Sequence, residues 1–304
     1  MSIVQRVTLI ADDSRTVVLD ASETTDGWAL AEPDAGNMDG WWSAPAPRAD
    51  AKERPQADGA FAPASLLVGA RVLTVVAHHA PSSEEDEIQA RSLISAISRQ
   101  WVRIVVEETG RTSHVRGFLS AQAKVARWEE PGSTWSLIFT IPDPLIYGGP
   151  GDDGDLSSWE SSEGVWSRSP DGGLMFPVFD QSPTSEATTG TVAAAVFTGG
   201  ATSSLMVTAA GTAASWPVLE VAGPVGWASW TLGGRTVRWS EPVPSGQVLR
   251  IDTGSGAVTL AGARVAQTGL TLDDFFQVRP GTSYVEVAAS RPALMRIRWR
   301  TAWI

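Results

Sequence analysis

Apolar and polar residues alternate over much of this chain. Residues 4–10 and 16–20 alternate on either side of Asp12-Asp13-Ser14, which predicts a short strand pair around a turn. Residues 66–78 predict a strong strand. Alternation returns at 102–106 and 115–119, with Thr109-Gly110-Arg111 as a hairpin turn, and again at 135–141. Residues 83–101 follow a different period. Ala90, Leu93, Ile94, Ile97 and Trp101 fall on one helical stripe, and Ser82 or Ser83 can cap it. Glu84, Glu85, Asp86 and Glu87 then occupy the first turn, where the helix dipole favours negative charge. Antiparallel strands with one packed helix make an α+β pattern. The connection at 20–51, rich in Gly and Pro, is long for a compact domain and suits binding or assembly.

Pro and Gly cluster at 142–154, which predicts a boundary between residues 1–145 and 146–304. Beyond it the runs are short: 191–197, 204–208, 218–222, 228–232, 236–240, 247–252 and 257–260, separated by Gly and Pro. Many short strands with turn punctuation predict a β-sandwich or jelly roll. At the end, Met295, Ile297 and Trp299 alternate with Arg296, Arg298 and Arg300, giving a strand with two unlike faces.

Composition narrows the chemistry. The 304 residues hold no Cys, which excludes a disulfide scaffold, a thiolate metal site and a cysteine nucleophile. A formal net charge of -11 argues against general nucleic-acid binding. The most apolar run is too short to span a bilayer, and no signal peptide is apparent, so synthesis and folding in a cytoplasm are expected. Arginine strongly outnumbers lysine (Lys52 and Lys124), in keeping with GC-rich coding.

Candidate sites are few. His78 and His79 are adjacent on a strand and point to opposite faces, which does not suit one metal. The acidic loop at 151–155 lacks EF-hand spacing and reads as a solvated linker. No phosphate loop, nucleophile elbow or His-Glu metal motif is present, and neither Glu107-Glu108 nor Glu129-Glu130 marks a glycosidase pair. No catalytic, cofactor or metal site is therefore expected. Fourteen Trp against two Tyr is the unusual count. Trp101, Trp135, Trp230, Trp239 and Trp299 lie on apolar faces and are expected in cores. Trp28, Trp41 and Trp42 fall in or beside the long loop and are candidates for an oligomer or partner interface, together with Arg296, Arg298 and Arg300. Trp159, Trp166 and Trp227 flank turns and are candidates for glycan or partner contact.

Several segments together resemble a known family. They are Gln56-Ala-Asp-Gly-Ala-Phe61, a strand with a central Arg71, the acidic-capped helix, and a strand ending in Ile141-Pro-Asp-Pro-Leu-Ile-Tyr147. Trp216-Pro-Val-Leu-Glu-Val-Ala-Gly223, Gly246-Gln-Val-Leu-Arg-Ile-Asp-Thr253 and Phe276-Gln-Val-Arg-Pro-Gly281 follow, then the Arg-rich last strand. The order is similar to that of the distal tail proteins (minor tail or baseplate hub proteins) of long, non-contractile-tailed bacteriophages. Residues 157–198 depart from it, being longer and richer in Ser, Thr and Trp. The resemblance implies a tube-like, ring-forming domain with one helix, then a galectin-like β-sandwich; the arginine-faced last strand (about 294–304) is placed to pack back on the first domain. It implies a hexameric ring at the tail tip that joins the tail tube protein to the hub protein and receptor-binding apparatus. It also implies a virion location, DNA only as a passenger through the lumen, no membrane insertion, no cofactor and no enzyme activity. Two other functions are compatible with the residues alone: a lectin-like module for host-wall glycans, and a wall-degrading enzyme that would need two convergent carboxylates.

Overall fold

The computed structural model describes residues 4–22, 24–32, 37–48, 52–61, 66–127, 132–151, 156, 159–166 and 203–304. The chain forms two compact units, Met1–Gly154 with Trp303–Ile304, and Asp155–Ala302. It is mostly β, with one α-helix among the described residues.

In the first unit the strands are β1 (Val4–Ala11), β2 (Thr16–Asp20), β3 (Trp28–Leu30), β4 (Met38–Asp39) and β5 (Arg71–His79). After helix α1 (Glu84–Ile97) come β6 (Trp101–Glu108), β7 (Arg111–Leu119), β8 (Lys124–Arg127), β9 (Ser133–Ile141) and β10 (Ile146–Gly148). They pair antiparallel in the order β2-β1-β6-β7-β9-β5-β3, with β4 on β5, β8 on β9 and β10 on β7. The sheet curls towards a closed barrel, bringing β2 against β3. Alternation explains the packing. Val7 and Leu9 of β1, Leu73, Val75 and Ala77 of β5, and Leu137, Phe139 and Ile141 of β9 all face one core.

The helix starts where expected: Ser83 Oγ accepts from the Asp86 N–H at 3.2 Å. Ala90, Ile94 and Ile97 enter the barrel core. It stops before Trp101, because Arg99 and Gln100 close a turn on the Ala96 and Ile97 carbonyls. Trp101 therefore opens β6 instead of ending the helical stripe. Expected in the core, it is 43% exposed and meets Phe118 edge to face at 5.3 Å. The strand expected from residue 66 starts only at Arg71. The hairpin at Gly110 forms as predicted, with φ +79 at the glycine.

The second unit contains β11 (Glu160–Trp166), β12 (Ser203–Ala209), β13 (Val218–Ala222), β14 (Ala228–Leu232), β15 (Arg235–Trp239), β16 (Val248–Asp252), β17 (Val258–Leu260), β18 (Ala263–Arg264), β19 (Leu270–Asp273), β20 (Gly281–Ala289) and β21 (Ala293–Trp299). One antiparallel sheet runs β11-β21-β13-β16-β17-β18 and the other β12-β20-β14-β15-β19. Their inner faces share one core containing Trp166, Trp230, Trp239 and Trp299, as a β-sandwich requires. The strand expected at 191–197 lies outside the described residues. Of the terminal segment expected to pack back, β21 stays in this sandwich, and only Trp303–Ile304 belong to the first unit.

Candidate assembly surface

Arg71 organises the first unit's long loop. It begins β5, is 2% exposed, and sends its guanidinium to backbone oxygens. Nη1 donates to the carbonyls of Gly40 (2.8 Å), Trp41 (3.2 Å) and Ser43 (2.5 Å), and Nε donates to that of Pro144 at 3.1 Å. Burial holds the Arg71 pKa below its ordinary value. Carbonyl dipoles replace the lost water around the cation, and a planar fork with several donors suits that task better than a lysine. Gly40 allows the loop to come this close. Its φ is +88, and a Cβ there would lie 2.0 Å from the Val72 carbonyl oxygen.

The clamp separates two neighbouring indoles. Trp41 is 3% exposed and packs in the barrel core, whereas Trp42 is 56% exposed. The Trp42 Nε1–H donates to Glu108 Oε1 at 3.2 Å, which fixes the ring without covering it. Beyond Trp42 the chain runs out as a ribbon. Arg48 N–H donates to the Leu67 carbonyl and Gly69 N–H to that of Ala46, while Phe61 N–H reaches Lys52 and Arg54 N–H reaches Gly59. This ribbon exposes Phe61, Leu66 and Leu67, the last two as consecutive leucines. Large exposed apolar side chains are the residue type that contact surfaces use.

Two other features anchor the first unit. Tyr147 donates its hydroxyl to Asp143 Oδ2 at 2.7 Å and stacks on His114, so the Asp-Pro-Leu-Ile-Tyr segment folds on itself. Trp303 lies under the Arg111 guanidinium, 3.6 Å from ring centroid to Cζ. His78 and His79 diverge, as adjacent strand residues should. His78 Nδ1 pairs with Thr134 Oγ1, whereas His79 is buried against Trp28, with ring centroids 4.5 Å apart. Burial lowers the His79 pKa, outweighing the attraction of Asp86 and Glu87. Among the described residues no group of three or more His, Asp or Glu is placed to hold a metal, and no helix is long and apolar enough to cross a membrane. Residues 152–155 of the acidic loop lie outside the described residues.

In the second unit two of the expected interface arginines, Arg296 and Arg298, converge on a carboxylate on the sheet face opposite the core. Glu220, at the centre of the six-stranded sheet, is 4% exposed. Its oxygens accept from Arg250 at 2.9 Å, Arg298 at 3.1 Å and Arg296 at 3.4 Å, and Arg296 also pairs with Glu163. Arg300 lies over the Trp159 ring at 4.5 Å. The pairing register explains the cluster, since Glu220 is level with both Arg250 and Arg296. Sequence reading singled out the arginines and missed Glu220. The available signal was one acid amid the apolar run Val218–Ala222, opposite an Arg-bearing strand.

The tryptophans divide differently from expectation. Trp28 and Trp41, expected at an interface, are core residues of the barrel. Trp166, expected at a glycan or partner contact, is 5% exposed in the sandwich core. Trp159 precedes a strand of one sheet and Trp227 a strand of the other, where Arg238 covers its ring at 4.6 Å. The three do not form one groove. Trp42 keeps the exposure that an interface residue needs.

Comparison with known proteins bears on this arrangement. Residues 210–303 match the family described as siphovirus-type tail component, C-terminal domain. No curated protein matches the sequence. Among solved structures, the Dit protein of phage SPP1, described as a paradigm of the hub adsorption apparatus in phages infecting Gram-positive bacteria, superposes with a TM-score of 0.60 at 14% identity. That alignment covers 97% of this chain and 98% of the other. A chain of the phage p2 baseplate in its activated conformation with Sr aligns at 10% identity and a TM-score of 0.47, over 96% of this chain and 97% of its own. Residues 210–303 thus match a siphovirus-type tail-component domain, and the chain as a whole has the fold of the SPP1 Dit protein.

Proposed function

We propose that this chain assembles as a ring of six copies at the distal end of a phage tail, joining the tail tube to the tip hub and receptor-binding apparatus. The observation that carries the reading is the tail-component domain on a whole-length distal-tail fold. In this reading the first unit is a tube-like ring former, and the second is a galectin-like sandwich that carries appendages. The partners are further copies of the chain, the tube protein and the hub protein. DNA is a passenger, the protein resides in the virion after synthesis in the host cytoplasm, and it catalyses nothing. The clamped Trp42 loop and the apolar ribbon supply contact material for neighbouring copies, a tethered aromatic anchor in the one and exposed apolar side chains in the other.

Mass photometry of the purified protein, alone and mixed with tube and hub proteins, tests the stoichiometry. Electron microscopy of assembled tails tests the position. Six-fold density fitted by this chain at the tail tip is the expected result. A protein that stays monomeric and enters no tail complex would overturn the proposal.

A further inference from the structure

The second unit holds an open cavity of about 340 Å³ between the β14–β15 turn and the segment leading into β20. Two arginines line it, Arg235 from the turn side and Arg279 from the opposite side, with Gln277, Ser283 and the buried ring of Phe276. Arg279 is exposed and makes no ion pair or hydrogen bond among the described residues. Arg235 is aimed by a hydrogen bond from Nη1 to the Phe275 carbonyl at 2.9 Å. Its contact with Asp274 is loose, at 3.9 Å between two exposed groups. Such a contact holds little energy and yields readily to a better anion. Two guanidinium forks facing one space match the paired oxygens of a phosphate or carboxylate. The Gln277 amide and Ser283 hydroxyl add partners suited to neighbouring hydroxyls.

We propose that this cavity binds the oxyanion groups, phosphate or carboxylate, of a polyhydroxylated ligand. Overall charge does not account for such binding, because the chain carries -11 and repels polyanions as a whole. The acidic excess falls on residues 1–155, whereas residues 156–304 hold ten arginines against eleven carboxylates. The site goes beyond ring assembly and is measured on the isolated chain, whatever its oligomeric state.

Calorimetric titration of the full chain with poly(glycerol phosphate), polygalacturonate and uncharged dextran tests it. The expected result is binding of at least one polyanion, with the phosphate and carboxylate polymers telling the two sources apart, and no binding of dextran. Arg279→Gln and Arg235→Gln should each weaken binding at least tenfold. Arg264→Gln, at an exposed arginine outside the cavity, should leave it unchanged. All three positions are exposed, and melting curves matching the unmodified protein verify the fold. Failure of both polyanions to bind, equal binding of dextran, or equal loss with Arg264→Gln would overturn the proposal.

Discussion

Replacing Trp41 by alanine removes an indole that is 3% exposed and packed in the barrel core. Core Trp→Ala changes cost about 3–5 kcal/mol, from lost transfer energy and the residual cavity. For a unit of this size that lowers Tm by roughly 6–20 °C. Replacing Trp42 removes an indole that is 56% exposed and one hydrogen bond, 3.2 Å long, to Glu108. The fold should lose about 1–2 kcal/mol, mainly because Glu108 is left with one donor fewer. If Trp42 anchors a neighbouring copy, its loss costs about 2 kcal/mol per contact, or about 30-fold in each subunit affinity. The two variants should therefore separate. Trp41→Ala melts early, whereas Trp42→Ala loses only roughly 2–8 °C and shifts the oligomer distribution towards monomer. Differential scanning fluorimetry gives the first quantity and mass photometry the second. Equal melting losses for the two variants would refute the assignment of core and surface. An unchanged oligomer distribution for Trp42→Ala would refute its interface role.

Arg71→Met should destabilise the first unit by about 1–3 kcal/mol, because the buried Trp41 carbonyl and the partly buried bonds to Gly40 and Ser43 lose a shared cationic donor; a urea midpoint matching the unmodified protein would contradict the clamp. His79 has a folded pKa below the ordinary 6.5, so the unfolded chain takes up the proton first. Stability from this residue is complete above about pH 6.5 and is lost as pH falls from there through the lower folded value, and His79→Phe should flatten that part of a pH-dependent melting series. Glu220→Gln strips a buried charge from three arginines that are themselves partly exposed, and a loss of about 2–4 kcal/mol is expected by chemical denaturation of the second unit; a neutral result would mean that the arginines are satisfied by solvent.

Much of the architecture is written in local periodicity. Strands buried on one face, such as those holding Val7, Leu73 and Leu137, declare themselves by alternation, and the helix by its cap and its Ala90–Ile94–Ile97 stripe. Strand β11 does not, since Glu160, Ser161, Ser162 and Gly164 supply no apolar face, and pairing with β21 holds it in the sheet. Strand β20 follows the Pro280-Gly281 turn, and its buried face is legible in the alternation of Val285, Val287 and Ala289. The tryptophan pair marks the limit for sites. Trp41 and Trp42 share one local context, yet one indole is buried and the other exposed, and the guanidinium that holds their backbone lies thirty positions along the chain. Likewise, the role of Arg296 and Arg298 depends on Glu220, distant in sequence and adjacent only through strand register.

The Arg71 clamp also bears on how quickly a partner is accepted. Ordering a free loop and a large side chain on contact costs about 0.5–1.5 kcal/mol per immobilised side chain, besides the backbone. Here three carbonyls are already bound and the indole is already tethered to Glu108 within the single subunit. That entropy is lost during folding, before any encounter. If a neighbouring copy docks on Trp42 as proposed, it meets a finished surface, and association proceeds without a slow ordering step.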